Sequence, residues 1–168
     1  MTTTSGTAPL AFRHRPDLGE LPATAHNHES NLHTSFAHDT DNAVYYGLPD
    51  VGVLRMTGDM RSTTVIPVPA GYHALNFHSV RIATIDDEQR LICTVNDAEQ
   101  GVVLFLDGEA VFTLGRPSLP PYDDPDTAYK PTDALLVGDD LFVADGYAAN
   151  HIAVADMNSR TWTRVFGG

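Results

Sequence analysis

Basic residues are scarce in this sequence. It contains ten Lys and Arg against 22 Asp and Glu, and its one lysine is Lys130, so the formal net charge is −12. A field of that sign repels polyanions, and no stretch concentrates enough basic residues to reverse it locally. The composition therefore predicts that nucleic acid is not a partner.

Cysteine is almost absent too. Cys93 is the single one, which excludes an intramolecular disulfide and a zinc cluster built from thiolates. Because it lies in the apolar run at residues 91–95, we expect a buried, unreactive thiol rather than a nucleophile.

Long hydrophobic runs are missing as well. No stretch approaches the roughly 18 apolar residues that would span a bilayer. Residues 1–6 have neither the basic part nor the apolar part of a secretory signal. The sequence thus predicts no membrane partner and, by default, a cytoplasmic protein.

Motifs for organic cofactors are also lacking. There is no Gly-x-Ser-x-Gly elbow, phosphate-binding glycine loop or dinucleotide fingerprint, so we expect no organic cofactor. The acidic cluster at residues 123–126 lacks the glycine and the terminal glutamate of an EF-hand loop, and it indicates a solvated linker.

What the chain does have is a succession of short apolar runs. Residues 1–30 are rich in Thr, Ser, Pro, Gly and His without periodicity, and they predict an irregular N-terminal arm. From residue 31 onward, short runs rich in Val, Ile, Leu, Tyr and Phe alternate with Gly, Pro, Asp and Asn. No window sustains a helical period, so the pattern predicts an all-β protein.

The apolar runs repeat at a step of about fifty residues. The runs at 53–58, 103–108 and 153–158 match one another. Each has an apolar run before it, another after it and one more strand-like segment ahead of the set. Each repeat is therefore predicted to be four short strands joined by tight turns.

Four antiparallel strands repeated in this way are typical of β-propeller blades. The sequence predicts an incomplete propeller of about three blades, at residues 31–70, 76–117 and 129–168. Closed propellers have at least four blades, so we expect a fragment of a longer protein, or a ring completed by self-association or a partner. An ordinary β-sandwich with coincidental similarity between segments is the alternative.

The third repeat has the most distinctive sequence motifs. Pro-Thr-Asp at residues 131–133 is followed by Ala-Asp-Gly-Tyr at 144–147 and by a closing Phe-Gly-Gly at 166–168. This sequence resembles NHL repeats, and among them the repeats of the six-bladed propellers of peptidyl-α-hydroxyglycine α-amidating lyase and its bacterial relatives. The resemblance extends over residues 33–168 at the level of architecture, but over residues 130–168 alone at the level of sequence motifs.

That resemblance implies an activity. The lyase family cleaves a hydroxyglycine-extended peptide to a peptide amide and glyoxylate, with zinc held by histidines near the propeller axis and a tyrosine close to the metal. The tyrosine that matches here is Tyr147. The family pattern continues with Asn-Ser-Arg, where this chain has Ala-Asn-His at residues 149–151.

Blade geometry predicts one shared site. If the first strand of each blade is innermost, His33, His78 and Thr132 lie at equivalent positions around the mouth of a central channel, and Tyr147 reaches the same face. Neutral imidazole is a good zinc ligand, so His33 and His78 are candidate metal ligands and Tyr147 is a candidate general acid or base. A catalytic zinc needs a third ligand, which Thr132 does not supply.

Arg81 is the second candidate catalytic residue. It falls within a predicted inner strand, with Ser79 and Ala83 on its own face. That placement predicts a guanidinium that projects into the channel and binds an anion.

Each candidate also has a structural interpretation: the histidines as polar strand starts, Tyr147 as packing on the rim, Arg81 as a solvated strand end. Three functions stay open. The first is a metal-dependent lyase or hydrolase with zinc that takes a peptide or small-molecule ligand at the channel mouth. The second is a non-catalytic scaffold that binds a peptide or protein, and an inactive fragment of a longer enzyme is a further alternative. The third is a calcium-dependent sugar lactonase, although the acidic residues that it needs at the axis are not apparent. Whether the protein is an enzyme is left open.

Overall fold

The structure, a computed structural model, describes residues 4–68, 71–96, 102–107 and 109–168. These ranges consist almost entirely of β-strands and turns, with one 3-10 turn at Glu29–Asn31. The strands are, in chain order, β1 Thr4–Thr7, β2 Leu10–Arg13, β3 Phe36–His38, β4 Val44–Leu48, β5 Gly52–Met56, β6 Thr63–Ile66, β7 Phe77–Ile85, β8 Glu88–Val95, β9 Val102–Asp107, β10 Glu109–Leu114, β11 Pro131–Val137, β12 Asp140–Asp145, β13 His151–Asp156 and β14 Thr161–Gly167. No helix within the described ranges is long and apolar enough to cross a membrane.

Twelve of these strands form three four-stranded sheets in the described part of the chain. Each sheet is an antiparallel meander: β3 to β6 is blade 1, β7 to β10 is blade 2 and β11 to β14 is blade 3. Asp86 and Asp87, which join β7 to β8, both have positive φ (54° and 61°), as the tight hairpin turn between two strands requires. The predicted fold class, an all-β chain of about three four-stranded propeller blades, is confirmed.

The blades pack face to face through apolar side chains. Val53 of blade 1 meets Phe77, Val80 and Cys93 of blade 2 in one core cluster. A second cluster joins blade 2 to blade 3 and contains, among others, Ile85, Ile92, Leu114, Ala134, Leu141, Val143 and Ala155. Alternate residues of each strand point to opposite faces, so the inner strands of blade 2 supply side chains to both clusters.

Cys93 lies in the first of these clusters and is fully buried. Burial raises the pKa of its thiol to about 12, because the thiolate would have no solvent around it. The expectation of a buried thiol is confirmed, and the raised pKa keeps it protonated and unreactive at neutral pH.

The N-terminal segment covers the outer face of blade 1. Leu21 and Ala25 pack there against Tyr46, Leu48 and Leu54. Ahead of this packing, β1 and β2 form a two-stranded hairpin in which every residue is exposed. From residue 4 onward, the arm expected to be irregular thus contains one hairpin and the start of one 3-10 turn, and is otherwise without regular structure.

The outer face of blade 3 differs, because no part of the described chain covers it. Its strand pairs place a row of apolar side chains on one side of the sheet. We call this surface the open face of blade 3. Its apolar residues are Leu135, Val137, Phe142, Ala144, Ile152, Val154 and Phe166, and on the same side the Arg164 guanidinium lies over the Phe142 ring and pairs with Asp140.

Candidate functional site at the mouth of the blades

A cavity of about 570 Å³ lies where the three blades begin. Its walls come from the segment before β3 and from the first residues of β7 and β11. Two apolar side chains, Leu32 and Phe36, form one side of it. The polar residues that line it are His33, Thr34, Ser35, His78, Ser79, Thr132, Asp133 and Tyr147.

Three residues singled out from the sequence meet in this cavity. The Nε2 atom of His78 lies 3.0 Å from the Tyr147 hydroxyl oxygen, and the Nε2 atom of His33 lies 3.4 Å from the same oxygen. The His33 and His78 rings meet edge to face, with centroids 4.9 Å apart. Two histidines, from the regions of blades 1 and 2, therefore converge on the phenolic oxygen of a residue from blade 3.

The hydrogen bonds of His78 fix its tautomer. Its Nδ1 atom lies 2.7 Å from the carbonyl oxygen of Thr132, which only accepts, so Nδ1 carries the proton. In the neutral ring Nε2 then has a free lone pair, and the Tyr147 hydroxyl donates to it. The geometry thus presents the nitrogen lone pair of His78 toward the cavity, as metal binding or proton transfer requires.

His33 reaches the site from outside a regular strand. The sequence places a strand at residues 33–35, but β3 begins at Phe36. The reason is that Ser35 pairs with blade 2 rather than with its own sheet: its N–H donates to the His78 carbonyl, and its hydroxyl accepts from the Val80 N–H at 2.9 Å. This seam holds His33 beside His78.

Thr132 positions both His78 and Tyr147, a role that sequence reasoning missed. Its carbonyl orients the His78 ring, while its hydroxyl accepts from the Gly146 N–H at 3.2 Å. A Cβ on Gly146 would lie 2.7 Å from that hydroxyl oxygen, so only glycine allows the close approach. The glycine directly before Tyr147 was the one sign in the sequence that another residue, here Thr132, approaches the backbone closely at this point.

Asp145 organises the loop that carries Tyr147. It is 1% exposed, and its carboxylate accepts bonds from the N–H groups of Lys130, Ala148 and Ala149 and from the Tyr122 hydroxyl. Burial and this bond to the carboxylate raise the pKa of Tyr122. An aspartate carboxylate that accepts bonds from nearby backbone N–H groups in this way stabilises the turn.

Arg81 projects from β7 toward blade 3, where its guanidinium forms a bidentate pair with Asp133 at 3.0 and 2.6 Å. Because the carboxylate already occupies the guanidinium fork, this geometry does not offer Arg81 as an unpaired anion-binding group. Burial alone would raise the pKa of Asp133, but the bonds and charge of Arg81, with the Ala134 N–H and the Ser79 hydroxyl, lower it below its usual value.

The lowered pKa of Asp133 predicts a pH-dependent contribution to stability. The contribution is present above the unfolded-state pKa of about 3.9 and is lost as the pH falls through the lower folded-state pKa. We expect Asp133→Asn to cost about 0.5–1 kcal/mol at neutral pH, since the pair is nearly half exposed, and to cost progressively less below about pH 4. Urea unfolding of both proteins at several pH values measures this, with the exposed Asp139→Asn as control. A cost that does not change with pH would contradict the assignment.

The donor set around the Tyr147 oxygen suits a metal only in part. Two imidazoles whose rings lie 4.9 Å apart are suitable zinc ligands, although the 3.4 and 3.0 Å separations of their Nε2 atoms from the phenolic oxygen are hydrogen-bond distances and not metal–ligand ones. Within the described residues, however, no group of three or more His, Cys, Asp and Glu is arranged to hold a metal ion. His33 and His78 would thus be two ligands of an ion that needs a further one.

Comparisons with known proteins add little to this geometry. No family model matches the chain, and no curated protein matches it. Among solved structures, BamB from Moraxella catarrhalis is similar with a TM-score of 0.36 and 12% identity, over 80% of this chain. The chain spans about half of that protein, 52% of its length. We draw the fold from the three sheets themselves, and NHL membership stays a prediction.

Proposed function

We propose that this chain is part of a propeller enzyme with its reaction site at the mouth of the blades, where His33 and His78 bind a divalent metal such as zinc. The observation that carries the proposal is the convergence of two imidazole Nε2 atoms on the Tyr147 oxygen, at 3.4 and 3.0 Å, within one open cavity. The third ligand would come from outside the described residues or from the substrate. The reaction class, cleavage of a hydroxyglycine-extended peptide, is taken from the resemblance of the third repeat's sequence motifs to the amidating lyases.

The residues of this chain have distinct parts in such a reaction. His33 and His78 would hold the zinc ion, which when bound would supply Lewis-acid polarisation of a substrate oxygen. The Thr132 carbonyl keeps the His78 lone pair directed into the cavity. Tyr147 stands within hydrogen-bond reach of both imidazoles, so its hydroxyl is placed to relay a proton between a substrate hydroxyl and the His78 Nε2 atom.

Metal binding is the first test. We expect one zinc ion to bind per chain by isothermal titration calorimetry, and His78→Ala to weaken binding by at least about 10–100-fold, the loss typical of residues that support a metal ligand. His38→Ala is the matched control, since His38 is exposed and does not line the cavity. Calcium is titrated in parallel, because nitrogen ligands favour zinc over calcium. Equal zinc affinity of wild type and His78→Ala would exclude the proposed ligand set.

A non-catalytic scaffold is the second candidate function. It is favoured by the hydrogen bond that Tyr147 donates to His78, which occupies the lone pair a metal needs, and by the apolar wall of Leu32 and Phe36. A labelled peptide that ends in α-hydroxyglycine distinguishes the two. Release of glyoxylate that depends on zinc and on His78 supports the enzyme, whereas binding without glyoxylate, unchanged in His33→Ala and His78→Ala, supports the scaffold.

A further inference from the structure

A second, apolar pocket lies beside the mouth cavity, between the N-terminal segment and blade 1, and has a volume of about 250 Å³. Tyr46 and Leu48, which are 6% and 1% exposed, form its inner wall. Leu32, Phe36 and Met60 stand at its solvent side and are 45%, 56% and 41% exposed. Large apolar side chains that are exposed together around a depression mark a ligand-binding groove or an interaction site.

The apolar pocket and the mouth cavity share a wall. Leu32 and Phe36 line both of them. Leu32 directly precedes His33, whose Nε2 atom lies 3.4 Å from the Tyr147 oxygen. Because consecutive Cα atoms are about 3.8 Å apart, a group held at the histidines lies about one peptide unit from this wall. A peptide whose end occupies the mouth cavity can therefore place its next side chain in the apolar pocket.

Contacts between the N-terminal segment and blade 1 hold the pocket in shape. The Gly19 N–H donates to the Met60 carbonyl at 2.7 Å, which joins the two sides of the pocket. Ala25 is fully buried and packs with Tyr46 and Leu48, so the segment is also fixed against the inner wall. The pocket is thus already formed without a ligand, as most small-molecule sites are.

Size and lining indicate what the apolar pocket takes. An apolar cavity of about 150 Å³ holds a benzene ring, whereas pockets for whole drug-sized molecules measure about 300–1,000 Å³. A volume of about 250 Å³ therefore suits one large apolar side chain. Met56 and Met60 supply flexible thioethers that adapt to aromatic and aliphatic shapes. Glu29 is the one charged residue among the described residues of the lining, and its carboxylate disfavours an acidic side chain.

From these observations we infer that the apolar pocket is a specificity site, which binds the large apolar side chain of the peptide residue next to the group held at His33 and His78. The inference rests on the proposed function in one respect, since the end of a peptide must occupy the mouth cavity. It adds which peptides are preferred: those with an aromatic or large aliphatic residue directly before that end. It requires neither zinc nor a particular reaction.

Two unreactive peptides, acetyl-Ala-Phe-Gly and acetyl-Ala-Ala-Gly, test the inference by isothermal titration calorimetry with the full chain. Their terminal glycine carries no hydroxyl, so no cleavage accompanies binding. We expect the Phe peptide to bind about 10-fold or more tightly than the Ala peptide, because the pocket removes its ring from water.

Met60→Asp is expected to reduce this preference to about twofold or less, because it places a carboxylate at the solvent side of the pocket. Met60 has a φ of 60°, which aspartate also adopts readily, so the turn is kept. Met60→Ala removes part of the same wall without adding charge and should lower the preference as well. Val65→Asp is the matched control, since it adds the same charge at an exposed apolar position of blade 1 that lines neither cavity. Circular dichroism checks that each variant keeps its β-structure.

Three outcomes would overturn the inference: no binding of either peptide, equal affinity for both, and a preference that both Met60 variants leave unchanged. Glyoxylate release from the hydroxyglycine forms of the two peptides is measured separately. A preference for Phe without glyoxylate release supports the pocket and contradicts the proposed reaction. Release with equal efficiency from both peptides supports the reaction and contradicts the pocket.

Discussion

Asp145→Ala is expected to lower the free energy of unfolding by about 4 kcal/mol, because four donors lose a charged acceptor that is itself only 1% exposed. The Tyr122 hydroxyl and the N–H groups of Ala148 and Ala149 would be left without this partner. For a chain of this size the melting temperature should fall by about 10 °C or more. Thermal and urea unfolding measure both quantities.

Two further variants separate the parts of this effect. Tyr122→Phe removes a single one of the four bonds and should cost about 1 kcal/mol. Asp123→Ala changes an exposed carboxylate in the neighbouring linker and should cost almost nothing. If Asp145→Ala proved no more damaging than Asp123→Ala, the loop that carries Tyr147 would not depend on this carboxylate.

Gly47→Ala is expected to be the most damaging small substitution at the seam between blades 1 and 2. A Cβ at this position would overlap the Cβ of Phe77 and lie 3.0 Å from the Phe77 carbonyl oxygen, so the two sheets would have to move apart. Phe77 is fully buried and cannot yield without disturbing the cluster around it. We expect a loss of about 2–3 kcal/mol, measured by urea unfolding.

The matched control is Gly115→Ala. Gly115 has open space where its Cβ would be, so the same added methyl group should change stability little. Similar losses at both positions would contradict the assignment of the cost to contact between the blades, since the change from glycine to alanine at an ordinary φ by itself stabilises slightly. A larger loss for Gly47→Ala assigns it to the seam.

Much of the fold followed from the sequence because its signals are local. The four-strand repeat depends on apolar runs and turn residues that any blade needs, so the strand order of all three sheets could be predicted. The meeting of His33, His78 and Tyr147 also followed, because repeated blades bring equivalent positions to one edge. Their chemical roles stay predictions.

The parts that could not be predicted depend on contacts between blades. Arg81 was expected to be available to an anion, but Asp133, more than fifty residues later in the chain, pairs with it across the seam. Thr132 was considered only as a failed metal ligand, whereas its carbonyl and hydroxyl hold two other residues of the site. The hairpin at Thr4–Arg13 gave no apolar periodicity, because both its faces are exposed.

Because Leu21 and Ala25 pack on blade 1, the outer faces of blade 1 and blade 3 differ in how they are covered. The N-terminal segment covers the outer face of blade 1. A module added on that side would first have to displace this segment and lose its buried contacts. Nothing in the described part of the chain packs on the open face of blade 3, so an additional module would meet no such obstacle there. Attempts to lengthen or close the assembly by fusion should therefore succeed behind β14 and fail in front of β3.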